Sequence, residues 1–193
     1  SLQEATKALA NNQIDVLVTA PINKDNIQSE DFKFPGHTEY LESQLEGESL
    51  MILMSENFRI GLITGHIPVS KISETITPEL IKKKVEILHA SLIQDFAIPK
   101  PKIAVLGLNP HCGDNGVIGT EDDTVIRPTI AEIQETGMII YGPYAADSFF
   151  GSSNYKNFDA ILAMYHDQGL GPFKTIAFGG GVNFTAGLIR LRT

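Results

Sequence analysis

The stretch KIAVLGLNPH, Lys102 to His111, runs a continuous apolar segment into a glycine and then a histidine. The same plan recurs in IGLITGH, which ends at His66, and in AILAMYHD, which carries His166. Unbroken apolar runs of strand length, rather than alternating ones, mark strands buried on both faces, as in a mainly parallel sheet covered by helices. In such an open α/β sheet the chemistry gathers at the carboxyl ends of the strands. Three imidazoles placed there are candidate ligands for one divalent metal, with an open coordination position for substrate.

Further strand-like runs lie at Ile14 to Val18, Leu50 to Met54 and Met138 to Tyr141, beside those at Arg59 to Ile63, Ile103 to Leu108 and Ala160 to Met164. The close spacing around Ser55 to Asn57 is compatible with a hairpin. The clearest helix signal has Thr77 as N-cap, Pro78 at the first helical position, and Ile81, Val85, Leu88, Leu92 and Phe96 at helical spacing, ending before Pro99. A second helix is expected from about Arg127 to Thr136, closed by Gly137, and another over about Leu2 to Ala10. The alternation of strands and helices gives an α/β class.

Composition narrows the function. With 193 residues, 42% hydrophobic and 20% charged, the chain can bury a sizeable core. No apolar run approaches the roughly 18 to 20 residues needed to span a bilayer, so no membrane partner is expected. A net charge of -8 argues against a general nucleic-acid surface while leaving room for a local anion pocket. A single cysteine, Cys112, excludes an intrachain disulfide and fits a reducing, cytoplasmic setting. The glycine-rich FGGGVNF stretch fails the dinucleotide fingerprint, since Phe184 stands where the third glycine is required, and no Walker loop is present.

Residue by residue, His89 lies on the apolar face of the Thr77-capped helix and reads as a core or boundary residue. His66, His111 and His166 read individually as strand-end caps or as ligands, and their common placement favours the latter. Asp167 is either a partner that orients an imidazole or a solvated turn residue.

The blocks VTAPINK, FPGHTEYL, TGHIP, GLNPHCGDNG, IGTEDD, GPYAADSFF, AMYHDQGLGPFK and GGGVNFTAGLIRLRT occur in one order along almost the whole chain. In that order they resemble the 4-hydroxythreonine-4-phosphate dehydrogenase family of vitamin B6 (pyridoxal phosphate) synthesis, within the isocitrate and isopropylmalate dehydrogenase superfamily. The resemblance implies an NAD-dependent enzyme that oxidises the secondary alcohol of 4-phosphohydroxy-L-threonine and then releases carbon dioxide, giving 3-amino-2-oxopropyl phosphate. It implies His66, His111 and His166 as ligands of one divalent ion (zinc, cobalt or magnesium) per subunit. His37, Thr38, Lys174, Asn183 and Arg192 would then sit at the phosphorylated substrate. Asp147 and Asp167 match acidic positions near the family's site as acid, base or orienting groups. The family's pocket is shared between subunits, which implies a homodimer.

The same resemblance implies a fold of two α/β domains. Residues 21–176 would form the central metal-binding and dimerisation domain, and residues 1–20 and 177–193 would be partial segments of the second. The family's chain starts before Ser1 and continues past Thr193 into a nucleotide-binding loop, so a piece truncated at both ends, with weak NAD binding, is expected. Two other readings fit the same residues: a sister dehydrogenase acting on phosphothreonate or phosphoerythronate, and a non-catalytic metal-binding assembly module.

Overall fold

A computed structural model describes residues 2–11, 13–14, 16–19, 37–44, 47–56, 58–177, 179–188 and 191–192. The strands are β1 (Val16–Leu17), β2 (Gly47–Ser55), β3 (Phe58–Leu62), β4 (Lys102–Leu106), β5 (Ile139–Tyr144), β6 (Ala160–Ala163), β7 (Val182–Leu188) and β8 (Leu191–Arg192). The helices that matter for the site are α1 (Leu2–Ala10), α2 (His37–Gln44), α3 (Pro78–Gln94), α4 (Arg127–Glu135), α5 (Ala146–Gly151) and α6 (His166–Ile176).

Among the described residues one sheet forms, in the order β1-β8-β7-β2-β3-β6-β4-β5. Strands β3, β6, β4 and β5 run parallel, with Ile60 opposite Ile161 and Ile103 opposite Ala160. Beside them β2 and β3 form the hairpin foreseen at Ser55, and β7 adds antiparallel to the other edge of β2. The α/β class with a helix-flanked sheet is therefore as the sequence indicated, with an antiparallel insertion at β2 and β7.

Burial explains the unbroken apolar runs. In β4, Ile103 and Val105 enter one core while Ala104 and Leu106 enter the other; in β6, Ala160 and Leu162 face one way, Ile161 and Ala163 the opposite. From Ile103 to Leu106 and from Ala160 to Ala163 each residue is buried in one core or the other, so alternation of side-chain direction carries no alternation of polarity. On the first face α3 and α4 contribute Ile81, Val85, Leu88, Leu92, Ile130 and Ile133. On the second, α5 and α6 contribute Phe149, Leu170 and Phe173.

The helix start at α3 is built as expected. Thr77 has extended dihedrals, its hydroxyl accepts from the Leu80 amide at 3.2 Å, and Pro78 occupies the first turn. Helix α4 starts at Arg127 as read, and a π-helical segment, Asp122–Ile126, leads into it.

A third, separate cluster joins Leu9 of α1, Leu17 of β1, Tyr40 and Leu41 of α2, and Leu188 of β7. It sits at the edge where β1 pairs with β8. Strand β7 pairs with β2 in the same sheet. The expected boundary at Pro21 lies outside the described residues.

Candidate active site at the strand ends

Because β3, β6 and β4 are parallel neighbours, the segments that follow them leave from one edge of the sheet. Pairing of β3 and β6 continues beyond both strands. The Ile63 amide donates to the Ala163 carbonyl at 2.8 Å, and the Thr64 amide and hydroxyl both donate to the Met164 carbonyl, at 3.2 and 2.7 Å. This zipper carries the two chains outward together, and the rings of His66 and His166 end with centroids 5.1 Å apart at 44°. They line a cleft of about 460 Å³ with Gly65, Val69, Ile72, Tyr165 and Asp167.

His166 is the first residue of α6. Its Nδ1 lies 2.7 Å from Oδ1 of Asp167. A proton shared there leaves the Nε2 lone pair for a metal or a ligand, which is the arrangement that carboxylate-oriented histidine ligands adopt. The neighbouring strand end is tied in by Gln168, whose Oε1 accepts from the Met164 amide at 2.8 Å while Nε2 donates to the Gly107 carbonyl at 2.6 Å. Gln168 thus links the end of β6 to the end of β4. The MYHDQG block contained it, but polarity after a histidine gave no sign that it would turn back to the strands.

His111 follows β4 on a different kind of support. Six consecutive residues, His111, Cys112, Gly113, Asp114, Asn115 and Gly116, have positive φ, from 47° to 88°. This is a turn of left-handed helix, which costs His111 and Cys112 about 1–2 kcal/mol each relative to right-handed backbone, while Asp114 and Asn115 are of the types that tolerate it better. Gly113 could not be replaced cheaply, since an added Cβ would stand 2.5 Å from the Gly119 carbonyl. Asp122, fully buried, accepts from the Leu108 amide at 2.8 Å and from the Asn109 amide and side chain at 3.0 Å each. Beside it, Glu121 accepts from the Ser73 hydroxyl at 2.5 Å, the Asn109 side chain at 2.9 Å and the Thr120 amide at 3.1 Å. The Ser73 hydrogen bond, its own backbone and Asn109 push the Glu121 carboxyl down to about 2. Cys112 is the opposite case: burial first, then the charge of Asp122, raises its thiol to about 11, so it is no ready thiolate.

The structure therefore brings together His66, His166 and Asp167. His111 stands on the adjacent strand end, but it does not line their cleft, and no group of three or more His, Cys, Asp or Glu side chains among the described residues is arranged to hold a metal. Asp147 is exposed on α5, and its charge is felt by Cys112 on the His111 turn. Lys174 is exposed in the last turn of α6, and Asn183 is exposed on β7. His37 and Thr38 open α2, and Arg192 lies in β8; their side chains are outside the described part of the structure. His89 is half-buried on α3 and does not line the cleft.

The chain is 57% identical over 195 residues to a 4-hydroxythreonine-4-phosphate dehydrogenase of Bacteroides thetaiotaomicron, covering 100% of this chain and 54% of that protein. It is 42% identical over 194 residues to the enzyme of the same name from Sulfurihydrogenibium sp., covering 100% of this chain and 59% of that one. A 4-hydroxythreonine-4-phosphate dehydrogenase crystal structure from Klebsiella pneumoniae superposes with a TM-score of 0.85 at 33% identity, over 100% of this chain and 59% of that one. The chain thus spans just over half the length of the curated relatives it matches. The family pattern of the pyridoxal phosphate biosynthetic protein PdxA matches residues 1–193, from one end of the sequence to the other, and the chain belongs to that family.

Proposed function

We propose that this chain supplies the metal- and phosphate-binding part of an NAD-dependent 4-hydroxythreonine-4-phosphate dehydrogenase, which oxidises 4-phosphohydroxy-L-threonine and decarboxylates the product. The observation that carries the reading is the pair of imidazoles, His66 and His166, held 5.1 Å apart over a cleft at the carboxyl edge of the parallel strands. Neutral imidazoles on a preformed edge are a donor set suited to a divalent ion such as zinc or cobalt. His66, His166 and His111 would hold it. When bound, the ion would stabilise negative charge on the substrate oxygen through both steps, and NAD would accept the hydride.

The chain's own residues would do the rest. Asp167 fixes the ring of His166 through Nδ1. Lys174, about 12 Å along α6 from His166 by helix rise, would meet the phosphate with Arg192, while Asn183, Thr38 and His37 would give directional hydrogen bonds. Asp147, beside the His111 turn, is the candidate to move a proton. The placement of His111 outside the His66 and His166 cleft supports a ligand set drawn from two subunits of a homodimer. So do the strongly exposed Val69 at the cleft (79%) and Val117 beyond the His111 turn (80%), apolar side chains of the kind a partner covers. The meeting of Leu9 and Leu17 with Leu188 in a cluster apart from the two main cores supports assigning the chain's ends to a second domain, with Tyr40 and Leu41 packed against it, and the lone cysteine supports a cytoplasmic setting.

The test is metal content and turnover in the full-length protein. About one divalent ion per subunit is expected in the wild type and in His89→Ala, with loss in His66→Ala, His111→Ala and His166→Ala. Equal metal in all of them, by elemental analysis, would refute the ligand set. Turnover of phosphothreonate or phosphoerythronate in preference to 4-phosphohydroxy-L-threonine would reassign the substrate.

A further inference from the structure

The left-handed turn that carries His111 has only short-range backbone hydrogen bonds of its own, such as Cys112 N–H to Asn109 and Asp114 N–H to His111, yet it holds His111 and Cys112 in a strained conformation. Strained backbone persists where its surroundings over-determine it. The surroundings here include two adjacent carboxylates, Glu121 just before the π-helical segment that leads into α4 and Asp122 at its first position. Asp122 gathers three N–H donors from Leu108 and Asn109, the residues that lead from β4 into the turn. Glu121 clasps Asn109 on one oxygen and Ser73 on the other, and Ser73 belongs to the segment that follows His66. Asn109 is thereby held from both sides, and an added Cβ at Gly119 would strike its amide at 2.6 Å.

We infer that Asp122 and Glu121 are positioning residues: together they set the imidazole of His111 and lock its turn to the segment bearing His66. The inference rests on the proposed role of these histidines as ligands. The hydrogen-bond chemistry separates the two carboxylates. Both oxygens of Asp122 face N–H donors only, so an asparagine would present an NH₂ to an N–H in either orientation. Glu121 faces a hydroxyl on one side, and a hydroxyl accepts as well as donates, so glutamine can replace it with both links kept.

The test is made on the full-length protein with cobalt(II) as the probe and with ¹³C-labelled histidine rings, the His111 signal being identified by its loss in His111→Ala. In Glu121→Ala and Asp122→Asn, cobalt affinity should fall roughly 10- to 100-fold. The metal-free His111 signal should broaden or split while that of His89 stays in place. Glu121→Gln should match the wild type in both measurements. In a His111→Ala background, Glu121→Ala should cost no further affinity. Should Asp122→Asn fail to fold, Glu121→Ala, whose contacts lie near the surface, still decides. An unchanged His111 signal in Glu121→Ala, with cobalt binding equal to the wild type, would overturn the inference. If the wild type binds no cobalt, the ligand reading fails by itself. The ring signal, recorded without metal, then still decides: unchanged, it refutes the positioning role, and altered only at His111, it supports it.

Discussion

Replacing Gln168 by alanine should loosen the edge of the sheet from which the site is built. Its side chain makes two hydrogen bonds to backbone, one from the buried Met164 amide and one to the buried Gly107 carbonyl. If water reached both groups after the change, the loss would be about 1 kcal/mol for each bond; if neither were reached, it would be about 1–3 kcal/mol for each. Gln168 is half-buried, so a loss of about 2–4 kcal/mol is expected. Gln168→Glu separates the two bonds. It keeps an acceptor for Met164 but sets a carboxylate oxygen against the Gly107 carbonyl, so it should be no more stable than the alanine variant. Urea denaturation monitored by circular dichroism measures both. An alanine variant within about 0.5 kcal/mol of the wild type would show that the bridge between β6 and β4 contributes nothing, and a glutamate variant as stable as the wild type would show that the bond to Gly107 contributes nothing.

Gly169→Ala should also destabilise: its new Cβ would lie 2.8 Å from both Ile60 Cγ2 and Leu62 Cδ2, and overpacking at about 1–3 kcal/mol outweighs the gain of about 1 kcal/mol in helix propensity. A variant with a higher urea midpoint would refute that close fit of α6 on β3. Glu121, whose carboxyl is held down at about 2, contributes stability that is full above its ordinary value near 4.5 and fades as the pH falls toward 2. Stability measured between about pH 5 and pH 3 should therefore fall less steeply in Glu121→Gln than in the wild type, and parallel curves would remove the assignment.

The parts of the fold that were legible in the sequence are those where one residue pattern has one physical outcome. Runs such as Ile103 to Leu106 and Ala160 to Ala163 have no polar face to expose, and Thr77-Pro78 before a 3.6-residue repeat can start a helix and little else. Strand β7 was hidden because Val182, Asn183 and Gly187 are exposed and its partner is β2, distant in sequence; pairing rather than propensity makes it a strand. Helix α6 was hidden by Gly169, Gly171 and Pro172 and by the absence of a capping side chain; Leu170, Phe173 and Ile176 were its short periodic signal. For the site, the placement of His66 and His166 just past strands could be read from sequence, whereas the pairing of β3 with β6 that brings them together could not. The path from Asn109 to His111 could not, because a left-handed turn on non-glycine residues is dictated by Asp122 and Glu121 from further along the chain.

The late return of β7 to β2 shapes how the molecule comes into being. As the chain leaves the ribosome, the β2/β3 hairpin can close early, but the outer side of β2 keeps unpaired amides and carbonyls until Val182 has been made to meet Met54. Throughout that interval Leu50 and Ile52 lack the cover that Phe184 and Ala186 later share with them in one cluster. The nascent protein thus carries a sticky, templating border while the residues between Met54 and Val182 are made. Its yield in cells will depend on chaperone capacity and translation speed more steeply than the stability of the finished fold would indicate.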